Sequence, residues 1–297
     1  MLTVMMIAGY CAVAVADERD ALRNHPGPVA IPFELRDGYQ IFVTGRDAKG
    51  KNLRMLVELG TTRTIVDTRV ASRLMGPEEV KDLVAASGMT KVRLGVISEL
   101  HFGPMTLNEI GVLVTDLASF PGAPPGTDVI VGLDVLTRND LTVDFKNGLL
   151  IFATDRTLPN EAAITWTEGL AILNMTARDE TLRMVLSTGV HFITLDKKRA
   201  EHWVASNKKL RSTTLSTEDI VIPVRVADTP EFALNHRKLF GPAVVLTITQ
   251  RSTRDDLQGI LPLAALNADR VSIDFQGRVL RWNDASSYRF EPAALVH

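Results

Sequence analysis

Alternation is the first regular signal along the chain. Tyr39-Gln40-Ile41-Phe42-Val43 is rich in aromatic and β-branched residues and predicts a strand. Asp47-Ala48-Lys49-Gly50-Lys51 is a turn by composition. Leu53 to Glu58 predicts the returning strand, so the two form a hairpin. At Thr68 to Met75 the period changes, and Val70, Leu74 and Met75 fall on one face of a helix. Lys91 to Val96 alternates polar and apolar as a half-buried strand does; His101-Phe102-Gly103 and Glu109 to Val114 predict further strands. Phe120 to Gly126 is a Pro- and Gly-rich loop. Asp128 to Leu136 is largely apolar. Leu141 to Phe145 and Leu149 to Phe152 predict strands joined by a turn with the hairpin dipeptide Asn147-Gly148.

The same order then runs again. Glu168 to Thr176 and Thr181 to Leu186 predict an entry hairpin, Lys197 to Val204 a short helix, and Ile220 to Val226 and Val244 to Thr249 strands. Gln258 to Leu266 answers Ile130 to Leu136, Val271 to Phe275 answers Val143 to Phe145, and Trp282 answers Phe152. The sharpest echo joins Met55-Leu56-Val57-Glu58-Leu59-Gly60-Thr61 to Met184-Val185-Leu186-Ser187-Thr188-Gly189-Val190. Ser187, Gly189 and Asp196 each fall 129 residues beyond Glu58, Gly60 and Asp67. In each copy an apolar strand enters a tight turn around a central Gly, then a β-rich return ends near an Asp. A repeat of this length predicts two related halves.

Composition sets bounds on this picture. The 297 residues suffice for two domains, and 45% hydrophobic with 23% charged residues is globular. The formal charge of −2 comes without a basic block, which argues against a nucleic-acid partner. Leu2 to Ala16 carries no charge and ends in Ala14-Val15-Ala16 before Asp17-Glu18-Arg19-Asp20, the form of a secretory leader with an A-x-A site. An uncleaved anchor is the alternative, although the stretch is short for a membrane span. Cleavage predicts a secreted or periplasmic protein with no remaining membrane span. It also removes Cys11, the only cysteine, and with it any disulfide. Asn174-Met175-Thr176 is formally a glycosylation sequon. The predicted organisation is a signal peptide over 1–16, an arm over 17–30, a first lobe over 31–154, a linker over 155–163 and a second lobe over 164–297.

Each half resembles a lobe of the pepsin- and retropepsin-like aspartic proteases. Their pattern is a strand ending in Asp-Thr/Ser-Gly and, later, two apolar residues and a Gly packed behind that loop. Here the first half has Glu58-Leu59-Gly60-Thr61 and Ile130-Val131-Gly132; the second has Ser187-Thr188-Gly189-Val190 and Ile260-Leu261-Pro262. The resemblance covers nearly all of the mature chain. It implies a mostly-β protein of two β-barrel lobes about a pseudo-twofold axis, and a cleft for an extended peptide or unfolded polypeptide under a hairpin flap. Lys91 to Val96 is the flap candidate.

The departures bear on chemistry. Two carboxylates sharing one proton split their pKa values, so one serves as base on a water and the other as acid. The matching positions are Glu58 and Ser187. Glu is one methylene longer than Asp, and Ser holds no exchangeable proton near neutral pH without an activating base. The motif Thr is Leu59 in one half and Thr188 in the other, which breaks the cross-lobe hydrogen-bond pair. Pro262 stands where a Gly is expected and removes a backbone donor. These losses point to a non-catalytic homologue that binds polypeptide in its cleft. The alternatives are an active aspartic-type endopeptidase using Glu58 and a structural or assembly subunit.

Other constellations read better as structure. Asp67 and Asp196 suit helix N-caps. Ser187, His191 and Asp196 contain the residue types of a hydrolase triad, but no G-x-S-x-G surrounds Ser187. Asp134, Asp144 and Asp274 sit at strand ends and turns. The six histidines, at 25, 101, 191, 202, 236 and 297, show no metal-ligand spacing, so neither metal nor cofactor is expected. Trp166, Trp203 and Trp282 read as packing residues.

Overall fold

The computed structural model describes residues 28–75, 79–85, 88–103, 105–119, 123–177, 180–195, 210–216, 221–227, 232–239, 243–245, 257–286 and 295–296. The leader, the arm up to residue 27, Asp196 and the helix expected over Lys197 to Val204 lie outside the described residues, as do His202 and Trp203.

Lobe 1 begins with β1 (Val29–Pro32), whose side chains alternate buried and exposed as the pleat requires. β2 (Glu34–Arg36), β3 (Gln40–Asp47) and β4 (Asn52–Val57) form a meander. β5 (Ile65–Asp67) leads into α1 (Thr68–Leu74). β6 (Glu79–Ala85), β7 (Gly88–Phe102) and β8 (Met105–Thr115) follow, then β9 (Val129–Val131), the single turn α2 (Leu133–Leu136), β10 (Leu141–Asp144) and β11 (Leu149–Phe152). Strands β3, β4, β9, β5, β8 and β7 close a barrel, because β7 returns to β3 with His101 opposite Arg46. Closure removes sheet edges that would otherwise present unpaired backbone groups. Ile41, Leu53, Met55, Leu100 and Phe102 fill its core.

Lobe 2 repeats the plan with β12 (Asn160–Thr167), β13 (Leu170–Ala177), β14 (Glu180–Ser187) and β15 (Ile193–Leu195). β16 (Leu210–Ser216), β17 (Val221–Ala227), β18 (Phe232–Leu234), β19 (Arg237–Lys238) and β20 (Ala243–Val245) come next. β21 (Gly259–Pro262), β22 (Ala268–Asp274), β23 (Val279–Asp284) and β24 (Leu295–Val296) complete it. Mostly β and bilobal is thus the observed architecture. Among the described residues no helix is long and apolar enough to cross a membrane.

The lobes are joined by a shared sheet. Six neighbouring strands run β1-β11-β10-β22-β23-β12, three from each lobe, and β10 lies antiparallel on β22 with Thr142 opposite Ser272. Those residues are 130 apart in the chain, and their hydroxyl oxygens lie 2.9 Å apart at the pseudo-twofold axis. The Thr142 hydroxyl also donates to the Ala153 carbonyl, and Ser272 accepts the Asp155 N–H. Beside the axis, Arg270 of lobe 2 clamps one lobe 1 and one linker carboxylate: Nη2 and Nε reach Asp144, and Nη1 reaches Asp155 at 2.9 Å. Burial pushes the Asp144 carboxyl up, but the hydrogen bonds from Arg270 and Asn147 outweigh it and hold the group below its ordinary value.

Several sequence expectations shift. Four of the nine residues of the expected linker 155–163 are strand: β12 starts at Asn160 and pairs with β23, Asn160 opposite Trp282. Glu168 and Gly169 are not strand but a left-handed turn, with φ of 50° and 79°. The strands expected over Lys91 to Val96 and at His101 are one continuous β7, paired with both β6 and β8. Lys91 to Val96 therefore belongs to the hairpin β6–β7. Asp67 does cap α1, accepting the Arg69 N–H at 2.7 Å, and it also accepts the Leu117 N–H.

Arg270→Leu should lower stability by about 1–2 kcal/mol at neutral pH, since it removes charge-assisted bonds from a partly exposed cation. A carboxyl held low in the folded state contributes stability above its unfolded pKa and loses it as pH falls through the folded value. The gap between wild type and variant, measured by urea unfolding, should therefore close as pH falls below about 4.

Candidate functional site

The two motif turns are built alike. β4 delivers Glu58 at its end, the chain turns through Leu59 to Arg63, and β5 returns. β9 inserts between them, parallel to β4 and antiparallel to β5. The turn is wired to the segment behind it: Glu58 N–H donates to Val131 O, Leu133 N–H to Thr61 O, and Gly132 N–H to the Thr64 hydroxyl. Asp134 accepts from both the N–H and the hydroxyl of Thr64, at 3.0 and 2.8 Å. Gly132 is needed for this approach, since a β-carbon there would lie 2.6 Å from the Arg63 carbonyl. In lobe 2, β14 delivers Ser187, the chain turns through Thr188 to Phe192, and β21 lies between β14 and β15. Pro262, opposite Ser187, supplies no N–H, yet β21 runs through it.

The turns meet across the lobe boundary. The Ser187 hydroxyl donates to Glu58 Oε1 at 2.8 Å, and the same oxygen accepts the N–H groups of Gly60 at 2.5 Å and Thr188 at 3.4 Å. Ser187 Oγ in turn accepts the Gly189 N–H at 3.1 Å. The extra methylene of Glu58 carries its carboxylate across the axis and over the Gly189 backbone. A β-carbon at Gly189 would sit 1.9 Å from Oε2. Burial raises the Glu58 pKa, and the bonds from Ser187, Gly60 and Thr188 oppose that rise.

The cross-lobe hydrogen-bond pair is halved, not abolished. Thr188 Oγ1 donates to Val57 O at 2.7 Å and accepts Leu59 N–H at 3.2 Å. Its mirror position is Leu59, fully buried in the core and without a hydroxyl. Thr61, also buried, donates to Arg63 O within its own turn.

The triad reading of Ser187, His191 and Asp196 finds no support in the ring's surroundings. His191 stacks on Tyr39 at 5.0 Å and on Phe192 at 4.6 Å, and burial lowers its pKa. The group that accepts the Ser187 proton is Glu58, 129 residues away. Sequence reading had both residues but treated them as two separate losses. It missed Tyr39, whose pKa is driven well above the tyrosine range by burial and by the charges of Asp37 and Glu58. Asp144 and Asp274 cap their hairpins by accepting N–H groups of Asn147 and Gly277. Trp282 is a core residue, whereas Trp166 is only half-buried and lines a pocket. Among the described residues no cluster of three or more His, Cys, Asp or Glu is placed to hold a metal ion.

Thr188→Val leaves Leu59 N–H and Val57 O without their partner and should cost about 1–3 kcal/mol in urea unfolding. For Glu58 the sign runs the other way from Asp144. A carboxyl whose folded pKa is raised stabilises below its unfolded value and loses that contribution as pH rises through the folded one. The Tm of Glu58→Gln relative to wild type should therefore climb between about pH 4 and pH 8.

A family model described as aspartyl protease matches residues 45–135, within lobe 1. Among solved structures the chain is similar to an aspartic proteinase from Irpex lacteus, at 13% identity and a TM-score of 0.54, covering 90% of this chain and 100% of that one. No curated protein matches. Residues 45–135 thus match the aspartyl protease model, and over 90% of its length the chain shares the bilobal fold of that proteinase.

Proposed function

We propose that the protein is a non-catalytic aspartic-protease homologue that binds an extended peptide or unfolded polypeptide between its lobes, after export by its leader. The observation that carries this reading is the 2.8 Å contact between Glu58 and Ser187. Water attack on a peptide needs one ionised and one protonated carboxyl facing the same water. Here one carboxyl faces a hydroxyl whose own pKa lies far above the working range. Glu58 Oε1 is moreover occupied by three donors, Ser187, Gly60 and Thr188. Among the described residues, the strands and turns around this contact are paired in both lobes, which supports retention of a binding cleft without the chemistry.

Incubating the purified protein with unfolded polypeptide from about pH 3 to pH 8 tests this, since that span covers the carboxylate and histidine ranges. Saturable peptide binding without cleavage is expected. Cleavage that vanishes in Glu58→Gln would sink the non-catalytic reading and establish an altered endopeptidase. Loss in Ser187→Ala as well would make the pair, and not the carboxylate alone, responsible. A stable assembly that neither binds nor cuts peptide would favour the structural-subunit alternative.

A further inference from the structure

The two hairpins that meet in the shared sheet have the same turn but different chemistry. In lobe 2 the turn Phe275 to Arg278 joins β22 to β23, and Asp274 Oδ1 accepts the Gly277 N–H. In lobe 1 the turn Phe145 to Gly148 joins β10 to β11, and Asp144 Oδ1 accepts the Asn147 N–H at 3.0 Å. Arg278 and Gly148 close the two turns in the left-handed region, with φ of 56° and 65°. Lobe 2 thus makes this turn with Gly277-Arg278, so its shape does not require Asn147-Gly148. What lobe 1 adds is a carboxamide.

That carboxamide is chemically labile where it stands. Asn147-Gly148 is the only Asn-Gly pair in the chain, and Asn147 is exposed. Asparagine is among the thermolabile residues, and a following glycine has no β-carbon to hinder the approach of its own backbone nitrogen. The Gly148 nitrogen attacks Asn147 Cγ. The Cγ–Nδ2 bond breaks, and Nδ2 leaves as ammonia with the proton released by the Gly148 nitrogen. Water then opens the cyclic imide at either carbonyl. This restores the Gly148 N–H and leaves aspartate or isoaspartate at position 147.

The place matters because the amide rests on the carboxylate that bridges the lobes. Asn147 Nδ2 donates to Asp144 Oδ2 at 2.9 Å, and the same oxygen accepts from Nε and Nη2 of Arg270 in lobe 2. Deamidation removes that donor and sets a second carboxylate against Asp144. Like charges so close oppose each other's ionisation. The new charge gains little from Arg270, whose third nitrogen already holds Asp155. The isoaspartate product also adds a carbon to the backbone of the turn. We propose that Asn147 is a site of spontaneous deamidation, and that its conversion loosens the Asp144–Arg270 bridge between the lobes.

Ageing the purified protein at mildly alkaline pH, where the Gly148 nitrogen attacks fastest, and then mapping its peptides by mass tests the site. The mass gain of amide-to-acid conversion should appear at residue 147 before any other asparagine, and isoaspartyl methyltransferase should label the same peptide. Aged protein should unfold at a lower urea midpoint than fresh protein, as should unaged Asn147→Asp. Asn147→Gln keeps a carboxamide that closes only a larger and slower ring, so its midpoint should hold through the same ageing. In an Arg270→Leu background the loss caused by Asn147→Asp should shrink to less than about half, because the two positions act through one bridge. An Asn147 still intact when the excised peptide 143–149 has fully converted, or when another asparagine has converted first, overturns the site. Conversion that leaves the midpoint unchanged, or lowers it equally with and without Arg270, overturns the link to the lobe bridge.

Discussion

The antiparallel pairing of β10 with β22 is the constraint on which the other features depend. Each lobe ends in a hairpin whose outer strand would be an exposed edge. Pairing Thr142 with Ser272 satisfies both edges at once and fixes the axis. Once that register is set, neither lobe has freedom to turn away from the other. The ends of β4 and β14 must then arrive opposite each other. The 2.8 Å approach of Glu58 and Ser187 is a consequence of the β10–β22 pairing, made more than forty positions away from either residue in the chain. Arg270 reinforces the arrangement by drawing Asp144 of the other lobe and Asp155 of the linker onto one cation.

Within that frame the site is satisfied by one carboxylate in place of two. Ser187 is short and leaves space; Glu58 is long and fills it. The donors that converge on the axis all find acceptors: Gly60, Thr188 and Ser187 on Glu58, and Gly189 on Ser187. A buried carboxyl is costly unless it is hydrogen-bonded, and here three donors meet that condition. The result differs in kind from a dyad. Two carboxylates at this distance repel and split their titrations, which creates an acid and a base. A carboxylate and a hydroxyl attract and settle into one arrangement.

The fold was legible because both lobes repeat the same order, and the repeat itself named the partner of Glu58. Strands with period-2 burial, such as β1, were visible for the same reason. What escaped was set by tertiary contact. Asn160-Glu161-Ala162-Ala163 has weak strand propensity and reads as a linker; it becomes strand because β23 offers an unpaired edge. Glu168 reads as strand by its neighbours, yet the short turn forces it to positive φ. β7 reads as two pieces because the polar residues Ser98, Glu99 and His101 interrupt its pattern, although pairing to β8 continues through them. Tyr39 gave no local signal, since its partner His191 lies in the other lobe. The halved grip of Thr188 was half legible: the missing hydroxyl at Leu59 shows in the sequence, the two bonds that remain do not.

The positions that break the pseudo-symmetry compensate one another. They lie in pairs at the axis: Glu58 with Ser187, Leu59 with Thr188, Gly132 with Pro262, Thr62 with His191. Erosion predicts unpaired buried polar groups and voids left by each loss, and both are expensive. At these places Ser187 and Glu58 bond each other, Leu59 packs fully buried, and Pro262 still extends its strand. Tyr39, His191 and Phe192 stack in a continuous column.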